Sequence, residues 1–153
     1  MMIILRDGLL FLVVLALYSL AGFAFPGGGA WYESLTKPDG TPSPSLFAAI
    51  WFVLHLLIAF SVVLLVRRGQ MNQELSLLFG INWFFNQLFL FLFFGLQQLF
   101  LAAFDMVLVM YSTWVLIRVS RPLNKIASSL LIPYLQWSAF VICLAWGFCW
   151  INF

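Results

Sequence analysis

Five long apolar segments, roughly Ile3 to Phe25, Ser45 to Val66, Leu75 to Phe94, Gln98 to Ile117 and Ile126 to Ile151, take up nearly all of a 153-residue chain. Crossing about 30 Å of hydrocarbon as a helix takes about 20 residues, and each segment is long enough to do so. In lipid a spanning segment satisfies its backbone N–H and C=O groups internally, which leaves helices and closed barrels. A barrel needs strands of about 10 residues that alternate apolar and polar positions. The run FLFLFF at Phe89 to Phe94 shows no such alternation. The chain therefore reads as an all-α integral membrane protein, a five transmembrane helix bundle forming a single domain.

Composition agrees. Charged residues make up 8% of the chain and mean hydropathy is +1.09, against roughly 25% charged in soluble domains. A net charge of +2 spread along the chain, with no Lys/Arg-rich run, excludes a nucleic-acid surface. Arg6 ahead of an apolar stretch resembles a signal peptide, but the stretch is too long for one and reads as a retained first span. Cys143 and Cys149 lie six apart in one helical segment, on different faces, and carry no zinc-type or haem-attachment spacing. They are expected as free thiols, and no metal site is expected. No internal repeat supports an inverted-repeat transporter.

The separators are chemically legible. Pro26 to Gly29 stops the first span, Arg67-Arg68-Gly69 ends the second, Gly95 marks a tight turn with Gln97 and Gln98, and Arg118 to Lys125 closes the fourth. Basic residues favour cytoplasmic span ends. Arg6, Arg67, Arg68, Arg118, Arg121 and Lys125 fall on one side and Lys37 on the other. The N-terminus is thus expected in the cytoplasm, with the first loop and the C-terminus outside.

Polar side chains within spans usually face the bundle interior. His55, Asn86 and Asp105 each lie near mid-span, so three helices bring a polar group to similar depth. Asp105 calls for a partner, and Asn86 and His55 are the candidates. The trio reads either as interhelical glue or as pocket lining. His55 by itself reads as structural, having no second metal ligand or nucleophile beside it. Pro133 is expected to kink the last span. Trp51, Trp83 and Trp137 sit deep enough for their indole N–H groups to need partners. Their faces serve either core packing or the stacking of a flat ligand.

The long first loop, 26–44, stands out in a chain whose other connections are short. Gly22 and Ala24, then Trp31-Tyr32, Leu35, Lys37-Pro38, Pro42, Phe47 and Trp51 form an ordered series. It continues with Asn86 nine residues before Gly95, with Asp105, and with Pro133-Tyr134-Leu135 followed by Trp137, Phe140 and Asn152. The series covers almost the whole chain and resembles the TspO or translocator protein family, also called tryptophan-rich sensory proteins or the peripheral-type benzodiazepine receptor, in its bacterial form. There are departures: Gly40 stands where the family usually has Trp, Ala49-Ile50 where Pro-Val is usual, and His55 where Tyr is usual. Phe89-Leu90 replaces Trp-Ser, Ala145 replaces Asn and Cys149 replaces Trp.

The resemblance implies a bundle, often a homodimer, whose first loop acts as a lid over a pocket. It implies binding of porphyrins such as protoporphyrin IX or haem, and of isoquinoline carboxamide and benzodiazepine-type ligands, in a bacterial cell membrane. Carried over, the ligand-binding positions are Tyr32, Ile50, Trp51, Asn86, Phe89, Asp105, Trp137, Val141 and Leu144. Trp137 is the position implied for light-dependent porphyrin degradation. Cholesterol is not carried over, since Arg118 lies one position too far from Tyr111 for the proposed motif. Three functions follow as expectations: a tetrapyrrole binding protein or sensor, a photochemical enzyme without conventional catalytic groups, and a transporter of porphyrins or other small hydrophobic molecules. Gly40 in place of the usual Trp is expected to give a more mobile lid.

Overall fold

The structure, a computed structural model, describes residues 2–153. It contains helices α1 (Met2–Ala24), α2 (Ala30–Ser34), α3 (Pro44–Arg67), α4 (Gln73–Leu90), a π-helical turn (Phe91–Gly95), α5 (Leu99–Ser120), α6 (Lys125–Leu130) and α7 (Ile132–Asn152). Among the described residues there is no strand. Five stretches are long and apolar enough to cross a membrane: Ile4–Ala24, Pro44–Arg67, Gln73–Gly95, Leu99–Ser120 and Lys125–Asn152. The five-span reading holds, with boundaries within a few residues of those expected.

Local chemistry sets the ends. Ser43 Oγ accepts from the Leu46 amide, with Pro44 in the first turn where a missing N–H costs nothing. The side chains of Asn72 and Asn124 cap α4 and α6 in the same way, at 2.8 and 3.0 Å. Beyond Ala24 the chain turns through Pro26 and two glycines with positive φ. The last span breaks at Leu131 rather than bending at Pro133, because proline is accommodated in the first turn of the new helix. The third span ends in a π turn. Phe93 and Phe94, which are adjacent in sequence, both reach the inner side of the loop end.

The spans pack as a ring: α1 against α3 and α4, α4 against α5, α5 against α7, and α3 against α6 at the start of the last span. Apolar burial offers little extra driving force between helices in lipid, so small residues and hydrogen bonds specify the packing. Ala102 and Ala103 of α5 and Ala127 of α6 are fully buried. Asn82, also fully buried, accepts from Tyr18 Oη at 3.1 Å and donates to Ser112 and Thr113, each at 2.9 Å, joining α1, α4 and α5. Trp83 donates its indole N–H to the Leu17 carbonyl at 2.9 Å. Ser61 Oγ donates to the Ala127 carbonyl.

One end of the ring collects the basic loops. Arg6 and Arg67 both reach Asp7, at 3.2 and 3.8 Å, and Gln70 joins the Leu123 carbonyl and Asn124. The first loop covers the opposite end.

Candidate functional site

The first loop is an ordered structure, not a bare strap. Its helix α2 lays Tyr32, 7% exposed, against Phe94, Phe148 and Phe93 at ring-centroid distances of 5.7, 6.0 and 6.4 Å. Trp31 meets the edge of Phe93 at 5.7 Å. Such tilted and edge-on aromatic pairs each contribute about 0.5–1.5 kcal/mol beyond their burial. The segment 26–44 thus contains a short helix held by its aromatic face.

Polar groups fasten the rest of the loop. Asn152, at the end of α7, accepts from the Thr36 amide and donates to the Thr36 carbonyl, each at 2.9 Å. Lys37 pairs with Glu33 at 2.7 Å and lies 4.9 Å from the centre of the Tyr32 ring. Burial pushes the Tyr32 phenol above its ordinary pKa, with Lys37 pulling the other way. Gly147 is where the loop touches α7: a Cβ there would stand 2.9 Å from Pro38 Cγ. Pro38 to Thr41 form a turn closed by the Thr41 amide on the Pro38 carbonyl. Gly40, its third residue, has φ of +81°, as a type II turn requires. The glycine that departs from the family pattern thus satisfies a turn in this loop.

Beneath the loop lies a cavity of about 240 Å³. Ser19, Gly22 and Phe23 of α1 line it, with Phe47, Ala48, Trp51 and His55 of α3. Asn86, Phe89 and Phe93 come from the third span, Val141, Leu144, Ala145 and Phe148 from α7, and Tyr32 and Pro42 from the loop. Ten of its lining residues are Phe, Tyr or Trp, and most of the others are apolar. Asn86 donates to Tyr134 Oη at 3.0 Å and accepts from Gln87, whose side chain in turn bonds Tyr18 and Ala21 of α1. Two ring nitrogens on this wall, Trp51 Nε1 and His55 Nε2, are buried without a hydrogen-bond partner among the described residues. An unpaired buried polar atom costs about 1–3 kcal/mol, and neither nitrogen has surface open to the cavity.

Six of the nine positions implied by resemblance meet on this wall: Tyr32, Trp51, Asn86, Phe89, Val141 and Leu144. Three do not. Ile50 is half-buried in the packing beside the cavity. Trp137 lies behind Phe47, 5.7 Å from it, and stacks on Phe140 at 5.0 Å. Asp105 belongs to α5, and no described residue of α5 lines the cavity. The expected pairing of Asp105 with Asn86 and His55 is also corrected. Asn86 bonds Tyr134 and Gln87, His55 bonds Ser19, and both Asp105 oxygens are buried without partners among the described residues. Equal depth in the bilayer did not mean a shared face. Sequence reasoning missed Ser19 and the phenylalanines of the wall other than Phe89, although Phe47 was in the motif series. His55, read by itself as structural and within the trio as glue or pocket lining, is bonded to Ser19 and lies among the residues around the cavity. Both cysteines are free, as expected.

The sequence profile of the TspO/MBR family matches residues 9–151. This chain belongs to the TspO/MBR family. Among its relatives, the tryptophan-rich protein TspO of Bacillus cereus is 38% identical over 94% of this chain and 95% of that protein. An uncharacterized membrane protein, YtaB, of Bacillus subtilis is 36% identical over 88% of each chain. The translocator protein of sheep is 30% identical over 76% of this chain and 72% of its own.

Proposed function

We propose that this TspO/MBR family protein is a membrane-embedded binding protein or sensor for tetrapyrroles such as protoporphyrin IX or haem. The same cavity would take isoquinoline carboxamide or benzodiazepine-type ligands. The observation that carries this reading is the cavity rich in aromatic side chains beneath a fastened loop. Flat conjugated molecules stack on such faces, and a few polar groups fix their orientation. A propionate at the mouth would compete with Glu33 for Lys37, whose ammonium already lies beside Tyr32.

At about 240 Å³ the cavity is smaller than the roughly 300–1,000 Å³ common for ligand sites. A macrocycle would therefore enter with the loop displaced, and the loop would act as a lid. The basic end of the ring supports an orientation with that end in the cytoplasm and the lid outside. The test is titration of the purified full chain with protoporphyrin IX, read by quenching of tryptophan fluorescence. Saturable quenching is expected, weakened in Trp51→Ala and in Tyr32→Ala. Equal titrations for all three proteins would overturn the assignment of this cavity.

A further inference from the structure

The outward face of α5 carries a row of side chains that line no part of the cavity. Tyr111, Trp114 and Arg118 follow one another at spacings of three and four, which puts them on one side of the helix. Tyr111 is 60% and Trp114 45% exposed, and Arg118 is exposed as well, so on a spanning helix this side faces lipid. A long basic side chain near a helix end ordinarily extends toward water. Arg118, in the last turn of α5, instead holds its guanidinium carbon 5.4 Å from the centre of the Trp114 ring, one turn deeper in the span. The Trp114 ring in turn lies 5.9 Å from that of Tyr111, inclined at 30°. Trp114 stands about 9 Å inside the helix end at Ser120, at a depth where interfacial tryptophans meet headgroups and acyl chains.

A guanidinium at that depth calls for an anion. Ion pairs among the described residues take up Arg6, Lys37 and Arg67, and leave Arg118, Arg121 and Lys125 without a carboxylate. Glu74, which opens α4 at the same end of the ring, pairs with none of them. A second copy of the chain would cover the face badly. Two copies with the same orientation in the bilayer, joined through this face by a two-fold axis, would set Arg118 and its basic neighbours against their own counterparts.

We propose that Tyr111, Trp114 and Arg118 form a binding site for an anionic phospholipid of the leaflet at the basic end. The guanidinium takes the headgroup phosphate, for which its planar fork is suited, and the two rings lie along the upper part of an acyl chain. Arg121 and Lys125, just beyond the helix end, extend the positive charge and favour a headgroup that carries no ammonium of its own. The site lies outside the cavity wall and does not depend on what the cavity binds.

The test is native mass spectrometry of the full chain released from mixed micelles containing equal amounts of phosphatidylglycerol and phosphatidylcholine with the same acyl chains. Wild type is expected to retain phosphatidylglycerol in preference. Arg118→Gln should lower that preference about fivefold, the effect of one basic residue near an anionic surface, and leave phosphatidylcholine retention unchanged. Trp114→Leu should lower it too, while Arg68→Gln, which removes the same charge from the end of α3, should keep it. Equal melting temperatures in phosphatidylcholine micelles will show that all three variants are folded. Unchanged phosphatidylglycerol retention in Arg118→Gln, or an equal loss in Arg68→Gln, would overturn the site. Displacement of the lipid by millimolar inorganic phosphate would assign the guanidinium to a free anion and overturn the lipid as its partner. A wild-type dimer that dissociates in Arg118→Gln or Trp114→Leu would assign the face to a second copy and overturn the proposal as well.

Discussion

Replacing Asn152 with Ala should loosen the proposed lid without disturbing the bundle. The Asn152 carboxamide makes two hydrogen bonds to the Thr36 backbone, each 2.9 Å, one donated and one accepted. A net hydrogen bond contributes about 0.5–1.5 kcal/mol. These two lie at a half-exposed site where water replaces part of the loss, so about 1–2 kcal/mol is expected for the pair. That corresponds to a 5–30-fold increase in the open fraction. The remaining attachments, the Tyr32 ring against Phe93, Phe94 and Phe148 and the contact of Pro38 with Gly147, stay in place. The lid should therefore open more often rather than detach. Hydrogen exchange measured by mass spectrometry is the assay, comparing peptides spanning 30–41 with peptides from α5. Faster exchange by about the same 5–30-fold in the loop, with α5 unchanged, is the expected result. Unaltered loop exchange would show that the Asn152 latch does not hold the loop closed and would refute this account of the lid.

Three further outcomes follow from the same geometry. Asn82→Ala removes the group that joins Tyr18, Ser112 and Thr113 across three helices, and the loss of thermal stability should correspond to about 1–3 kcal/mol; a melting temperature equal to wild type would contradict that role. Burial of Tyr32 favours its neutral phenol in the closed loop, so lid closure should be constant at pH values below the ordinary tyrosine pKa of about 10 and weaken as pH rises above it. Exchange in peptides 30–41 across that range, with Tyr32→Phe as the reference that lacks the transition, checks this. If bound protoporphyrin IX is lost on illumination, Trp51→Phe should slow the loss more than Trp137→Phe, because Trp51 lines the cavity and Trp137 lies behind Phe47; the opposite order in Soret bleaching would restore Trp137 as the reacting indole.

The spans were legible because the cost of hydrocarbon leaves so few options: a 20-residue apolar run flanked by Ser43-Pro44 or Asn72 declares both a helix and its first turn. The depth of polar residues was legible too, by counting. Their rotation about the helix axis was not. His55, Asn86 and Asp105 lie at similar depth, yet the structure pairs the first two with Ser19 and Tyr134 and gives Asp105 no partner among the described residues. Asn82 escaped attention although it lies one turn from Asn86 and carries more of the interhelical hydrogen bonding. Rotation is set by contacts between helices, and a single sequence shows only one helix at a time. The short helix α2 is likewise fixed by Tyr32 and Trp31 meeting phenylalanines some sixty residues away, not by its own propensity. The resemblance supplied six positions of the wall but not Ser19.

The central claim is that a porphyrin occupies the space beneath the first loop, and filling that space tests it most directly. Ala48 lines the cavity from the first turns of α3 and is exposed, so a larger side chain there intrudes on the ligand with little cost to the core. Leu77, on the opposite end of the third span and 64% exposed, is the matched control. Protoporphyrin IX affinity measured for wild type, Ala48→Trp and Leu77→Trp should fall at least about tenfold in Ala48→Trp and stay at the wild-type value in Leu77→Trp. Undiminished binding in Ala48→Trp would place the porphyrin elsewhere and contradict the account.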